Sequence, residues 1–228
     1  SMVVQVISIL ILRLLVDIKT VGIYNANYKL GIFMMLVVSM FEYAWRPFFL
    51  NNAREPNAKE LFSKVLTIFA GAASLVLIIL TFTIENIITI PLPVKGYLIG
   101  QKYWSGVIIV PIVLFAYLFL GLYTNLIAGI YIEKKTKYLP FITGLGAALN
   151  IITCFALIPV WGITGSAIST LVSYVAMAAA MYFTAQRFYP VKYETGRVMA
   201  LLLIDIFAIA VFFAFFGTFG VAVKVILC

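Results

Sequence analysis

Histidine is absent from this 228-residue chain. Its absence removes Ser-His-Asp and Cys-His catalysis and most zinc sites, all of which need an imidazole as base or ligand. Cysteine is nearly absent. Cys154 lies inside an apolar run and Cys228 is the last residue, a spacing that suggests neither a disulfide nor a metal site. Cys154 reads as a buried, inert thiol. Charge is scarce as well: 11% of residues are Asp, Glu, Lys or Arg, against about 25% in a soluble domain. A soluble fold could not cover itself with so few. No phosphate-cradling glycine loop, metal-ligand cluster or carboxylate pair placed for glycosidic chemistry is present, and no cofactor is expected.

What is there is apolar. Hydrophobic residues make up 64% of the chain and the mean hydropathy is +1.14. Charge-free runs cover Val65–Ile84 (20 residues), Tyr103–Ile132 (30) and Tyr138–Gln186 (49). A bilayer core needs about 20 apolar residues per helix. The first run is therefore one span, the second one long or tilted span, and the third must be two. The reading is all-α: a polytopic transmembrane helix bundle of seven or eight spans, whose partner is the lipid bilayer. No signal-peptide pattern is evident, because Arg13 follows rather than precedes the first apolar run. The abrupt apolar ends read as a fragment of a larger membrane protein.

The expected spans are Val3–Ile18, Ile23–Ala44 (ending near Arg46-Pro47), Val65–Ile84, about Tyr103–Ile130, Tyr138–Ile158, Ser166–Arg187 and Val198–Phe216. Lys19–Gly22 forms the first turn. Gly217–Gly220 turns into a short apolar piece, Val221–Cys228. Pro56 suits a first helical turn, Glu55→Lys59 and Glu60→Lys64 are i,i+4 pairs, and Pro111 is a candidate kink. The segment 150–174, interrupted by Pro159, Gly162 and Gly165, is predicted to be helix, turn, helix.

The net charge of +8 sits in short loops, a topology signal rather than a nucleic-acid patch. One side holds Arg46, Arg54, Lys59, Lys64, Lys134, Lys135, Lys137, Arg187, Lys192 and Arg197. The other holds only Lys19, Lys95 and Lys102. The first side is thus assigned to the cytoplasm. The alternation requires residues 138–186 to cross twice. Small residues on the two later spans (Gly144, Gly146, Ala147, Ala148; Gly165, Ser166, Ala167, Ser169, Ser173) read as close helix packing.

Ionisable groups at membrane depth default to functional hypotheses. Arg13 and Asp17, and Glu42 and Arg46, have i,i+4 spacing and can neutralise each other. Lys29 has no partner within a turn, which places it against a water-filled cavity or an acid on another helix. Asp205 lacks a local cation and suits either a proton or sodium site or peripheral packing. Asn25, Asn27, Tyr28, Tyr123, Asn125 and Asn150 are either helix glue or cavity lining. Tyr103, Trp104, Tyr131, Trp161 and Tyr182 read as interfacial anchors.

Two strings carry a resemblance. "VGIYNANYKLG" (21–31) followed by "WRPFF" (45–49), and "GIYIEKKTKYLPFITGLGAALNIITCFALIPVWGITGSAISTLVSY" (129–174), are similar to the signatures of the polysaccharide flippases. These belong to the multidrug/oligosaccharidyl-lipid/polysaccharide exporter superfamily. The resemblance implies the C-terminal half of a two-bundle transporter, with 1–187 as the six-helix second bundle, 188–228 as extra transmembrane helices, and an N-terminal half as partner. It implies no enzyme activity. The implied substrate is a polyprenyl-pyrophosphate-linked oligosaccharide moved across the bacterial cytoplasmic membrane by alternating access, coupled to a cation gradient. Glycan polymerase machinery is a further implied partner. Lys29 and Arg46 would meet the pyrophosphate or acidic sugars. Arg13, Asp17, Asn25, Tyr28, Glu42 and Asn125 complete the cavity candidates, with Asp17 and Asp205 as ion-coupling candidates. The rival readings are a cation-coupled multidrug exporter, a non-transporting scaffold of a glycan-synthesis complex, and a membrane glycosyl polymerase.

Overall fold

The computed structural model describes residues 2–92 and 96–226, with side-chain surroundings for residues 4–91 and 97–215. The elements in order are α1 (Met2–Leu15), α2 (Ile18–Tyr28), a 3-10 turn (Lys29–Gly31), α3 (Ile32–Asn52) and α4 (Ala58–Ile88). Then come β1 (Pro91–Leu92), β2 (Gly96–Tyr97), a 3-10 segment (Gln101–Ile109), α5 (Val110–Ile132), α6 (Tyr138–Phe188) and α7 (Thr195–Ile226). The two strands form a two-residue antiparallel ladder, Pro91 opposite Tyr97. Everything else regular is helical. Among the described residues, five helical stretches are long and apolar enough to cross a membrane, α2 and α3 counting as one, with α1 a shorter apolar sixth.

α5 is the axis. It is apolar all round, without a charged residue, the pattern of a helix with no solvent face. Of its most apolar stretch 83% is buried, against 28% for α6 and α7. α3, α4 and both halves of α6 pack around it. The outer faces carry exposed Ile68, Phe141, Val160, Phe183 and Phe207. Large apolar side chains turned outward in this number suit contact with lipid chains, not water.

α6 is one hydrogen-bonded run in name only. At Gly162 the backbone turns to φ +52°, ψ −127°, a conformation essentially confined to glycine. The chain then reverses. A Cβ on Gly146 would collide with the side chain of Met177, and one on Gly165 with the backbone of Leu157. Residues 146 and 177 would lie about 46 Å apart on a straight helix at 1.5 Å per residue. The arms 138–161 and 163–188 therefore lie antiparallel. The predicted helix–turn–helix is present, with two adjustments: the reversal is at Gly162, and Pro159 remains inside the first arm. Gly146 and Gly165 allow the close approach, as small residues do where no hydrophobic effect drives helices together.

Several expectations are corrected. α1 stops at Leu15 and α2 begins at Ile18, so Arg13 and Asp17 share no helix and cannot pair along one. Asp17 instead caps α2, accepting from the Lys19 and Thr20 amides at 3.1 and 3.3 Å. The expected turn at Lys19–Gly22 is helical for the same reason: the cap satisfies the first orphan N–H groups there. The second span does not end at Arg46-Pro47; α3 continues through Pro47 to Asn52. An aromatic cluster holds this last stretch, with Trp45 and Phe49 packed against Phe62 of α4. α4 starts at Ala58 with Asn57 preceding it. Pro56 therefore lies outside the helix, and Glu55 has no helical turn on which to meet Lys59. Glu60 and Lys64 do pair, at 2.7 Å. Pro111 occupies the first turn of α5, where its missing N–H costs nothing, and produces no mid-helix kink. α7 runs unbroken through 217–220 to Ile226, since glycine is tolerated in apolar spanning helices; Cys228 lies outside the described residues.

The same aromatic cluster gathers the end of α3, the start of α4, the end of α5 and Tyr189 of the α6–α7 connection. It thus brings the basic loops to one end of the bundle. Lys59 stacks over the Tyr189 ring at 4.9 Å and Lys135 over Phe188 at 5.6 Å, contacts that fix the chain near the loop cations.

Candidate functional site

A cavity of about 540 Å³ lies along α3 and α5. Its wall is aromatic and hydroxylic on the α5 side: Tyr117, Tyr123, Thr124 and Tyr131 recur down one face. On the other side it is formed by Lys29, Ser39, Glu42 and Arg46, with Gln5 of α1 beside them. Tyr28 sits at the α2 end, and the Tyr117 hydroxyl donates to its oxygen at 3.4 Å. The Lys29, Ile32 and Arg46 side chains are exposed, so the cavity opens along α3.

Lys29 reaches the cavity because the helix tightens there. The 3-10 turn Lys29–Gly31 interrupts α2–α3, and Gly31 presses the backbone against Val113 and Tyr117 of α5. Lys29 lies about 16 Å along from Ile18 at the helical rise. Among the described residues it has no ion-pair partner. Arg46 stands about 25 Å further along the same line. Its Nη2 meets Glu42 Oε1 at 2.5 Å, and its guanidinium lies 5.8 Å from the Tyr131 ring centre. The cavity therefore has one cation without an ion-pair partner among the described residues, beside Tyr28, and one paired cation near the basic-loop end. Tyrosine hydroxyls line the wall between.

Of the candidates read from sequence, Lys29, Tyr28, Glu42 and Arg46 converge on this cavity. Arg13 and Asp17 do not line it: Arg13 is exposed and Asp17 is the α2 cap. The Asp17 carboxyl sits below the ordinary carboxylate range, chiefly because the Thr20 hydroxyl donates to it. Asn25 is half-buried on α2, outside the lining. Asn125 is 1% exposed and lies one residue beyond the lining Thr124; its backbone oxygen accepts from Trp45 Nε1 at 3.1 Å. Its side-chain amide has no hydrogen-bond partner among the described residues. Asp205 is remote from the cavity, buried between α7 and α4, where Ser74 Oγ donates to Oδ2 at 2.7 Å.

Sequence reasoning missed Gln5, Ser39 and Tyr117 in the wall. It also missed Ser8, whose hydroxyl donates to Asn150 Oδ1 at 3.0 Å and lies 3.3 Å from Thr170 Oγ1. That buried trio ties α1 to both arms of α6. A serine in an apolar run gives no sign of its partner 142 residues away. Of the three only Asn150, fully buried, stands out in the sequence, as an amide in need of partners. Cys154 adjoins the trio, its sulfur 3.9 Å from Ser8 Oγ.

Chemically the cavity is a binding surface. Its wall carries two cationic side chains (Lys29, Arg46) together with hydroxyls and aromatic faces (Tyr28, Tyr117, Tyr123, Tyr131). Among the described residues no three His, Cys, Asp or Glu side chains group as metal ligands do. No family model, curated protein or solved structure matches the chain.

Proposed function

We propose that this chain is the second bundle of a two-bundle membrane transporter that moves a polyprenyl-pyrophosphate-linked oligosaccharide across the bacterial cytoplasmic membrane. The product would feed surface polysaccharide synthesis. In this reading the chain crosses seven times: α1, the α2–α3 line, α4, the 3-10 segment with α5, the two arms of α6, and α7. The cavity faces a first bundle across α3, and rocking of one bundle against the other gives each membrane face access in turn.

The observation that carries the reading is Lys29. An unpaired ammonium at membrane depth is costly unless it faces water or an anion. This one opens into a cavity whose wall offers tyrosine rings and hydroxyls, groups suited to sugar. Arg46 marks the basic-loop end, where an anionic headgroup would enter. The similarity of "VGIYNANYKLG" and of 129–174 to flippase signatures points the same way. A multidrug exporter for organic cations is less well supported, since the sole acid in the cavity wall, Glu42, is already held by Arg46.

The test is complementation. Cells lacking their own lipid-linked-oligosaccharide flippase are given the full-length protein, and surface glycan is measured. Restored glycan is expected. Lys29→Ala should impair it more than Lys59→Ala at equal membrane abundance. A well-inserted protein that restores nothing would sink the proposal, and a non-transporting scaffold would become the better description. Equal activity of the two variants would remove Lys29 from the site.

A further inference from the structure

Away from the cavity, one acid occupies a place where acids are rarely found. Asp205 lies midway along the apolar stretch of α7 and is fully buried. Its Oδ2 accepts from Ser74 Oγ of α4 at 2.7 Å, and its Oδ1 has no hydrogen-bond partner among the described residues. Ser74 is itself 3% exposed and midway along α4. Among the described residues, no charge faces the pair from α4, α5 or α7. On α4 the nearest charged residues are Lys64 and Glu85, each about 15 Å away along the helix. On α7 the nearest is Arg197, about 12 Å away. α5 has no charged residue, and its Tyr117, Tyr123 and Tyr131 line the cavity instead.

An ionised carboxylate here would have a single hydrogen bond and no counter-charge, in a medium that cannot solvate it. A neutral carboxyl fits without that penalty. It keeps the Ser74 bond and leaves its own O–H on Oδ1. We propose that Ser74 and Asp205 form a membrane-embedded proton-binding site that pins α7 to α4 when loaded and releases it when unloaded. Unloading breaks the Oδ1–H bond, leaves the electron pair on the oxygen and passes the proton to water. The resulting carboxylate can be solvated only if the α4–α7 seam parts. This proposal is independent of what the cavity carries.

Two measurements on the full-length protein in membranes test it. The first is labelling with dicyclohexylcarbodiimide, an apolar reagent that takes up a protonated carboxyl. The acid proton goes to nitrogen and the carboxylate oxygen to the central carbon, and the adduct rearranges to an acylurea without a leaving group. Mass mapping should place the label on Asp205. The label should fall several-fold from mildly acidic to alkaline buffer and be absent in Asp205→Asn. No label on Asp205 at any pH would overturn the proposal. So would protection by sodium at constant pH, which would mark a metal-cation site.

The second measurement reads the pin. Gly71 and Leu201 face each other across the seam. With Cys154 and Cys228 changed to Ser, Gly71→Cys with Leu201→Cys should form a disulfide. Its yield at alkaline pH should be several-fold higher with Asp205→Asn, a neutral isostere, than with Asp205 present. Ser74→Ala should lower the yield at mildly acidic pH, where the site is loaded, and leave it unchanged at alkaline pH. Identical pH responses with and without Asp205→Asn would overturn the pin.

Discussion

Gly146 and Met177 press together across the α6 hairpin with no room for a Cβ: one placed on Gly146 would overlap the Met177 Cγ and Sδ. Gly144, two residues earlier, has nothing within 4 Å of its Cβ position. The two glycines share a helix and a membrane, so comparing them isolates interhelical packing. Gly146→Leu is expected to destabilise the protein by about 1–3 kcal/mol through overpacking. Gly144→Leu should be neutral or slightly stabilising, because its Cβ meets open space and leucine lowers the cost of helix formation relative to glycine. Thermal unfolding in detergent micelles checks both. Equal losses would mean that the arms do not meet at Gly146.

The turn that makes this contact depends on Gly162. Its φ of +52° with ψ −127° admits a side chain only under strain of about 1–3 kcal/mol. A Cβ there meets no neighbour within 4 Å. Gly162→Ala should therefore destabilise by backbone strain alone, and Gly162→D-Ala, introduced by semisynthesis, should not. Matching losses for the two enantiomers would refute the strain argument.

Trp45 links α3 to α5 through its Nε1 hydrogen bond to the Asn125 carbonyl, at 3.1 Å, and packs against Phe49 and Phe62. Trp45→Phe keeps most of the ring packing and loses the donor, an expected cost of about 1 kcal/mol. Trp45→Ala also leaves a cavity, for about 3–5 kcal/mol. Chemical denaturation in micelles distinguishes the two. If both variants cost the same, the hydrogen bond rather than the packing holds the helices.

Asp17 gives a pH signature. Its folded-state carboxyl is shifted below the ordinary value of 3.8, first through the Thr20 hydroxyl and then through the α2 amides. A depressed pKa contributes stability above the unfolded value, and that stability is lost as pH falls through the folded value. The wild type should thus lose stability on acidification into that range more steeply than Asp17→Ala. At neutral pH Asp17→Asn should be closer to wild type than Asp17→Ala, since Asn also caps. Parallel acid profiles for wild type and Asp17→Ala would exclude Asp17 as the cap that matters.

The all-helical class, the presence of several helices apolar enough to cross a membrane and the doubling back of residues 138–188 were legible in the sequence. All three follow from local quantities: charge-free length against bilayer thickness, and basic residues counted loop by loop. Lys29 was legible for a similar reason, because a lone cation in an apolar run signals its own cost. What tertiary structure alone decided was partnership. Whether Asp17 pairs with Arg13 or caps α2 depends on where the backbone breaks, and composition does not mark that break between Leu15 and Ile18. Whether Pro47 ends a helix depends on the aromatic cluster from three other elements that holds the chain helical past it. Ser8 finds Asn150, Tyr117 finds Tyr28 and Ser74 finds Asp205 across 142, 89 and 131 residues. In lipid, apolar surfaces satisfy one another almost anywhere, and these directional polar contacts select which helix faces meet.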